Sequence, residues 1–486
     1  MLTAARFGYG CNRLCSRMNM SVTIRRLGQA LLLAALPVSA SAATLDGATL
    51  SPLWALPFAG ILLSIAIIPL IAPHAWHSHF GKISAGWALV FLVPFALGFG
   101  TQTAFASFVH AMLEEYVPFI VLLTALFTVA GGICLHGDLH GSPRLNTGLL
   151  ALGAVLASIM GTTGAAMLLI RPLLRANEHC KHVVHRVVFF IFLVANAGGA
   201  LSPLGDPPLF LGFLNGVSFF WTTVHLAVPT LFICVVLLAL FYALDRFYYA
   251  KEEVVQRSEV KTPLSVDGKI NFVLLAAVVA LVLMSGLWKP GVEFDVFGTH
   301  VALQNVVRDV LLVVVTLLSL LLTPKSARVG NAFNWAPIEE VAKLFAAIFI
   351  TIAPVIVILR AGAHGAFAGI VHLVTDSSGK PIDIAYFWAT GLLSSFLDNA
   401  PTYLVFFNLA GGDAPTLMTA GASTLAAISA GAVFMGANSY IGNAPNFMVK
   451  AIAESRGVVM PGFFAYLGWS TLVLLPLFLI TGWLFF

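Results

Sequence analysis

Two acidic residues, Asp206 and Asp398, lie in short breaks that interrupt long apolar stretches of the sequence. A carboxylate inside a membrane is costly, so an intramembrane aspartate is interpreted first as a carrier of protons or cations. The alternative is that each aspartate caps the half-helix that follows it, and one residue can do both. Four breaks of this kind, each rich in small residues, occur at 161–165, 196–208, 398–402 and 438–445.

The four breaks also contain neutral side chains that carry oxygen atoms, the donors that hard cations prefer. Their alternative role is to stabilise the broken backbone by hydrogen bonds without contacting a ligand. The prolines of the breaks are interpreted as structural, because proline begins or ends half-helices. The candidate ion- or substrate-binding residues are Asp398, Asn399, Asp206, Asn438, Ser439, Asn443, Thr162, Thr163, Asn196 and Ser202.

The elements that position these residues must be membrane helices. Of the 486 residues, 59% are hydrophobic and 9% are charged, whereas a soluble protein has roughly 25% charged residues. The apolar stretches have the length of helices and not of barrel strands. The sequence therefore predicts an all-α polytopic membrane protein with about ten transmembrane helices. Two interrupted stretches, near 145–174 and 384–411, are predicted to be re-entrant hairpins.

The N-terminal segment has the pattern of a signal peptide. Arg25 and Arg26 precede a short apolar run at 27–38, and Ala40-Ser41-Ala42 has the small-residue form of a cleavage site. We expect residues 1–42 to be removed, which places the mature N-terminus outside the membrane.

The distribution of basic residues supports this topology. Most Lys and Arg residues fall in loops predicted to be cytoplasmic, and only Lys289, Arg308, Arg360 and Lys380 fall outside. The net charge of +4 is therefore a topology signal and does not indicate nucleic-acid binding. The expected location is a bacterial-type inner membrane, with the lipid bilayer as the principal partner.

The two halves of the sequence resemble each other. Residues 161–164 align with 397–400, and residues 200–208 align with 437–445, at offsets of 236–237 residues. Residues 50–245 and 271–486 are the predicted repeats, and 246–270 is the predicted cytoplasmic loop. The predicted topology inverts one repeat relative to the other, which is typical of alternating-access transporters with a site at the midplane.

Other potentially chemical residues carry weaker signals. The pairs Glu114-Glu115 and Glu339-Glu340 are interpreted as carboxylates at helix starts, where they complement the helix dipole, with a gating role as the alternative. The cysteines are scattered and support neither a disulfide framework nor a metal cluster. No cofactor is expected, and no metal beyond a transported cation.

Several stretches resemble the ion transporter superfamily, most closely NhaD-type sodium/proton antiporters and citrate transporters of the CitMHS type. The most specific are Leu-Asp-Asn-Ala-Pro at 397–401 and Gly-Asn-Ala-Pro at 442–445, and the likeness covers roughly 50–486. The resemblance implies paired hairpins, two inverted repeats and often a homodimer in which a transport domain moves against a scaffold. The break at 161–165 lacks the Asn-Pro of the family pattern, which leaves open whether both halves bind the ion.

The leading functional hypothesis is a Na⁺(Li⁺)/H⁺ antiporter, because both embedded charges are acidic and no Lys or Arg falls within a break. The alternative is a cation-coupled carrier of citrate or another small organic anion. An intramembrane aspartyl protease is a third class, since two aspartates could share a proton. Their position at breaks in paired repeats argues against that class, and we expect a transporter and not an enzyme.

Overall fold

The computed structural model describes residues 46–137, 139–252 and 263–486. The predicted signal peptide at 1–42 lies outside the described residues, as does the central part of the loop predicted at 246–270. The described chain is helical, with two small antiparallel sheets of two short strands each, which confirms an all-α membrane protein. The strands pair β1 (Cys134–His136) with β2 (Ser265–Asp267) and β3 (Glu293–Val296) with β4 (Thr299–Ala302).

The α-helices follow one another along the chain with short connections. They are α1 Leu56–Ile71, α2 Pro73–Phe99, α3 Thr101–His110, α4 Val117–Ala130, α5 Pro143–Met160, α6 Thr162–Ala176, α7 Val184–Leu193, α8 Pro207–Leu214, α9 Trp221–Tyr249, α10 Ile270–Leu287, α11 Leu303–Leu322, α12 Lys325–Gly330, α13 Ala336–Arg360, α14 Ala368–Val374, α15 Asp383–Phe396, α16 Asn399–Leu409, α17 Ala414–Met418, α18 Ala422–Met435, α19 Ala444–Ser455 and α20 Phe463–Phe485. Single turns of 3₁₀ helix lie at Pro52–Ala55, Ala197–Leu201, Gly362–His364 and Gly436–Asn438, and a π-helical turn lies at Ala111–Tyr116.

Ten helical segments of the described chain are long and apolar enough to cross a membrane, which agrees with the predicted number. The assignment differs in two places. Helix α5, predicted to be one arm of a hairpin, meets the length criterion, whereas the predicted span at α18 is shorter. The long outer helices expose apolar side chains such as Leu97, which is 84% exposed. Such side chains face lipid instead of a protein core.

Helices α5 and α6 form a hairpin whose turn is Gly161. Gly161 adopts a φ of +82°, a left-handed conformation that glycine tolerates without strain. At the other end, the Gly141 backbone N–H donates to the Ala176 carbonyl over 2.8 Å, and Asn146 Nδ2 lies 3.1 Å from Asn177 Oδ1. The two open ends of the hairpin are therefore side by side.

Helices α15 and α16 form a second hairpin, which turns at Leu397 and Asp398. Leu397 has extended backbone geometry, and the rings of Tyr386 and Phe406, near the open ends, have centroids 6.3 Å apart. Both predicted hairpins therefore exist as helix pairs. Their insertion from opposite sides of the membrane stays a prediction.

Contacts within the two halves recur at a constant shift of 237 residues. Ser202 Oγ donates to the carbonyl of Ser158, and Ser439 Oγ donates to the carbonyl of Ser395. Asp206 and Asn443 are also 237 residues apart, so the same shift relates these two residues. The same shift places Gly161 opposite Asp398, so the sequence alignment of that break at an offset of 236 is one residue out of register.

Glu114 and Glu115 do not lie at a helix start, contrary to the sequence interpretation. The helical segment begins at Thr101 and continues to Ala130, and the two glutamates sit within its π-helical turn. Glu339 does lie in the first turn of α13, as expected, and Glu340 follows it directly. The two glutamate pairs therefore have different structural roles.

Candidate functional site

Four helix N-termini converge at the centre of the described chain. Gly161 precedes α6, Asp206 precedes α8, Asp398 precedes α16 and Asn443 precedes α19. The short 3₁₀ turns before Asp206 and Asn443 redirect the chain so that both residues are extended. Helix N-termini present free N–H groups and partial positive charge. The breaks therefore create a polar site that is supplied by both halves.

Asp206 is the centre of this site. Its side chain is 1% exposed, and its Oδ1 accepts hydrogen bonds from Thr162 Oγ1 at 3.1 Å and Asn443 Nδ2 at 2.9 Å. Its Oδ2 accepts from Asn399 Nδ2 at 2.6 Å. All three donors are uncharged, and no Lys or Arg of the described chain forms an ion pair with Asp206. The carboxylate is therefore held in a neutral cage.

The structure distinguishes the two interpretations of the aspartates, helix capping and binding of a proton or cation. Asp398 caps α16, since its Oδ1 accepts from the Ala400 backbone N–H over 3.0 Å. Asp206 precedes α8 but makes no side-chain cap hydrogen bond. Capping therefore explains Asp398 in part and does not explain the burial of Asp206. Both aspartates line the same cavity.

Asn399 leaves one polar atom free beside Asp206. Its Nδ2 is engaged with the Asp206 carboxylate, while its Oδ1 is buried without a hydrogen-bond partner. A buried unpaired amide oxygen costs free energy unless something binds to it. Carboxylate, hydroxyl and amide oxygens such as those of Asp206, Thr162 and Asn399 are the ligand types that hard cations prefer.

A network of asparagines supports the cage from behind. Asn196 Oδ1 accepts from Asn443 Nδ2 at 3.2 Å, and Asn196 Nδ2 donates to Asn446 Oδ1 at 2.7 Å. Asn446 also donates to the carbonyls of Gly436 and Ser439, each over 2.8 Å. Sequence reasoning missed Asn446, which lies one residue beyond the break that ends at 445. The available sequence signal was that Asn446 is an asparagine, like the neighbouring candidates Asn438 and Asn443.

The remaining predicted site residues lie apart from Asp206. The Ser202 hydroxyl donates to a carbonyl of α5, and the Ser439 hydroxyl donates to a carbonyl of α15. Asn438 Nδ2 donates to Ser395 Oγ at 2.9 Å. These three residues stabilise the broken backbone by hydrogen bonds, which is the alternative role for the neutral side chains of the breaks. Thr163 lines the cavity next to Thr162.

A cavity of about 520 Å³ adjoins the cage. It extends from Asp206 and Asn399 to Asn334 and Ser455, which lie in segments predicted to be cytoplasmic, and its walls are mostly apolar. A volume in this range accommodates a hydrated cation or a small organic molecule. Within the described residues no group of three or more His, Cys, Asp or Glu side chains could hold a resident metal ion.

Arg171 is a further lining residue that sequence reasoning counted only as a cytoplasmic charge. It lies on α6, nine residues after Thr162, and its Nη1 is buried without a hydrogen-bond partner. An unpaired guanidinium nitrogen is a donor for an anionic ligand. Although no Lys or Arg lies within a break, the cavity therefore contains a cationic group, Arg171.

The family comparison agrees with this architecture. The family model described as "Putative citrate transport" matches residues 47–486. The chain belongs to this family. None of the curated proteins compared with the chain matches it. Membership identifies this "Putative citrate transport" family protein as a multi-pass membrane transporter, with its helix breaks and the Asp206 cage inside the matched region.

Proposed function

We propose that the protein is a secondary transporter that exchanges Na⁺ or Li⁺ for protons at Asp206 by alternating access. The observation that carries this proposal is the burial of the Asp206 carboxylate among uncharged donors from both halves of the chain. A buried carboxylate without a cationic side chain must be neutralised by a bound cation or by a proton. Competition between the two for one carboxylate couples their movements.

The oxygen atoms around Asp206 define how the cation would bind. The carboxylate supplies the charge, and the free Asn399 Oδ1 supplies a neutral oxygen. Asp398 lies at the same cavity wall and adds a second negative charge nearby. This set favours Na⁺ or Li⁺ over K⁺, because a small ion gains more from a compact cage of oxygens.

The transport cycle requires that the site face each side in turn. The cavity connects the Asp206 cage to the side predicted to be cytoplasmic. Exchange then requires the hairpins and the breaks to move together against the outer helices, as in transporters with inverted repeats. A homodimeric scaffold and a bacterial inner membrane remain part of this proposal.

The proposal is tested by proton flux in everted vesicles from a strain without its own antiporters. A pH-sensitive dye reports the collapse of a preformed gradient, and we expect Na⁺ and Li⁺, but not K⁺, to collapse it. Asp398→Asn keeps the N-cap, since asparagine caps as well as aspartate, but removes a nearby charge. Its half-saturating Na⁺ concentration should therefore rise about tenfold.

The absence of any cation response in vesicles that contain the protein would contradict cation exchange. A fully active Asp398→Asn variant whose Na⁺ affinity is unchanged would contradict the contribution of the Asp398 charge to cation binding.

A cation-coupled carrier of citrate or a related organic anion is the second candidate. It is favoured by Arg171, whose free Nη1 lines the cavity, and by the description of the matching family. In this cycle Arg171 would bind a substrate carboxylate, and a cation at Asp206 would neutralise the remaining charge. The cavity of about 520 Å³ is large enough for such a substrate.

Arg171→Gln separates the two candidates. If an organic anion is carried, the substitution should raise the KM for labelled citrate at least tenfold, because the charge-assisted hydrogen bond is lost. Arg171→Lys, the matched control, should retain part of the affinity since it keeps the charge. If the protein exchanges only cations, both variants keep Na⁺-driven proton flux and no protein-dependent citrate uptake occurs. Loss of Na⁺/H⁺ exchange in Arg171→Gln would contradict the assignment of Arg171 to anion binding alone.

A further inference from the structure

Glu115 is a second, partly buried acidic residue that the Asp206 site does not include. It lies in the π-helical turn Ala111–Tyr116, and its Oε2 is buried without a hydrogen-bond partner. Single π-helical turns inside α-helices frequently occur at functional sites, because the wider turn redirects a side chain. A purely structural glutamate would have its oxygens satisfied.

The surroundings of Glu115 contain one cation and several polar groups. Arg360, on α13, and the neighbouring Glu114 interact electrostatically with its carboxylate. Asn215, after the end of α8, is within hydrogen-bonding reach of it. Arg360 is itself occupied, since its Nε donates to Asn408 Oδ1 over 2.8 Å, and it also faces His110. The guanidinium is therefore shared and does not form a dedicated ion pair with Glu115.

The Glu115 group lies at the opposite end of the two short helices that begin at the Asp206 cage. Asn215 is nine residues after Asp206 along α8, and Asn408 is nine residues after Asn399 along α16. At 1.5 Å per residue each path is about 13 Å long. The cavity reaches the Asp206 end and does not include Glu115. In the predicted topology, the Glu115 end faces outside.

A polar side chain lies part-way along this path. The Tyr403 hydroxyl is against Gly212, where an added Cβ would be 2.4 Å from the hydroxyl oxygen. Tyr403 is one helical turn after Asn399, and it lies near the Ser429 hydroxyl. Tyr403 is therefore a polar point between the Asp206 cage and the Glu115 group.

We propose that Glu115 is a proton-binding residue that connects Asp206 with the side of the membrane opposite the cavity. When the site faces that side, a proton binds a Glu115 carboxylate oxygen and passes along the α8–α16 pair, past the Tyr403 hydroxyl and water admitted by the opening, to the Asp206 carboxylate. After the site has turned back to the cavity, the proton leaves Asp206 into the cavity when a cation replaces it. The inference rests on proton exchange at Asp206, which it extends with a route for the proton.

The neighbouring glutamate provides a matched control. Glu114 shares the π-helical turn but faces Arg308, Glu293 and His300. Glu115→Gln removes the proton-binding group at nearly constant volume, and Glu115→Asp keeps it. Glu114→Gln removes an equal charge from the adjacent residue. Tyr403→Phe removes only the intermediate hydroxyl.

Two measurements on the purified full-length chain test the proposal. The first is infrared difference spectroscopy between acidic and alkaline pH without transported cations, which detects the protonated carboxyl group directly. We expect one titrating carboxyl band of the wild type to be lost in Glu115→Gln and retained in Glu114→Gln and Glu115→Asp. Identical spectra for Glu115→Gln and the wild type would overturn the proposal.

The second measurement is Na⁺-dependent proton flux in oriented proteoliposomes, with the acid applied to each side in turn. Glu115→Gln should slow exchange about tenfold when protons come from the side opposite the cavity, with equilibrium Na⁺ binding unchanged. Tyr403→Phe should slow it in the same direction, and Glu115→Asp should restore it. A wild type without Na⁺-dependent flux would refute exchange at Asp206, while the infrared titration still decides whether Glu115 binds the proton. Equal flux in Glu115→Gln and the wild type would overturn the route.

Discussion

Replacing Asp206 by Asn is expected to abolish cation-driven proton movement, leaving at most about 1% of the wild-type rate. The substitution removes the one charge at the centre of the cage, so neither a proton nor a cation is bound in exchange. Thr162 and Asn443 can still donate to the new amide oxygen in the Oδ1 position, and rotation of the Asn399 amide lets its oxygen accept from the new NH₂ group, which limits the structural disturbance. The measurement is dye-reported flux in everted vesicles, with folding checked by size-exclusion chromatography.

Asp383→Asn is the matched control for this experiment. Asp383 lies at the start of α15 and accepts a hydrogen bond from Thr424 Oγ1 at 2.6 Å, outside the Asp206 cage. We expect this variant to transport at close to the wild-type rate. A well-folded Asp206→Asn variant that keeps half or more of the wild-type flux would show that Asp206 is not the exchange group.

Gly205→Ala is expected to cause the largest loss of stability among single substitutions near the site. An added Cβ at Gly205 would lie 2.1 Å from the carbonyl oxygen of Gly199, a backbone atom that cannot rotate away. The Gly205 carbonyl also accepts from the Thr162 N–H over 2.8 Å, so any shift disturbs the first hairpin. Overpacking against backbone places the expected loss on the order of 4 kcal/mol, at the extreme end for single substitutions.

The measurement for Gly205→Ala is the Tm in detergent, followed by size-exclusion chromatography of the heated protein. Gly148→Ala provides the comparison, because its Cβ would meet no atom within 4 Å and it lies inside α5. Alanine in a helix interior is favoured over glycine by up to about 1 kcal/mol, so this variant should be as stable as the wild type or slightly more. A Gly205→Ala protein with an unchanged Tm would contradict the close packing of Gly205 against Gly199.

Much of the fold follows from local sequence. Apolar stretches of membrane length predict the long helices, and the glycine at 161 and the Asp-Asn-Ala-Pro run at 398–401 predict the two hairpin turns. Local patterns do not decide which predicted segments are full spans. Helix α5 and helix α18 differ from their predicted classes because length depends on where the chain breaks, and a hydropathy pattern locates breaks only to within a few residues.

The candidate site is predictable from sequence as a set of residues but not as an arrangement. Thr162 and Asn399 are 44 and 193 residues from Asp206 in sequence, and only tertiary packing brings them to its two oxygens. Sequence therefore could not rank Asp206 above Asp398. Arg171 was missed for a related reason: a charge near a helix end indicates only topology until the hairpin turns it toward the cavity.

The neutral character of the cage around Asp206 has a consequence for energy conservation. An exchanger wastes the gradient if it reorients with nothing bound, since each such event breaks the link between the two ions. The unloaded cage holds a full negative charge without a basic side chain to balance it, and carrying that charge through the low-dielectric interior is unfavourable. Loading with either ion removes the penalty. The same lack of a countercharge that makes Asp206 attractive to ions therefore also suppresses slippage.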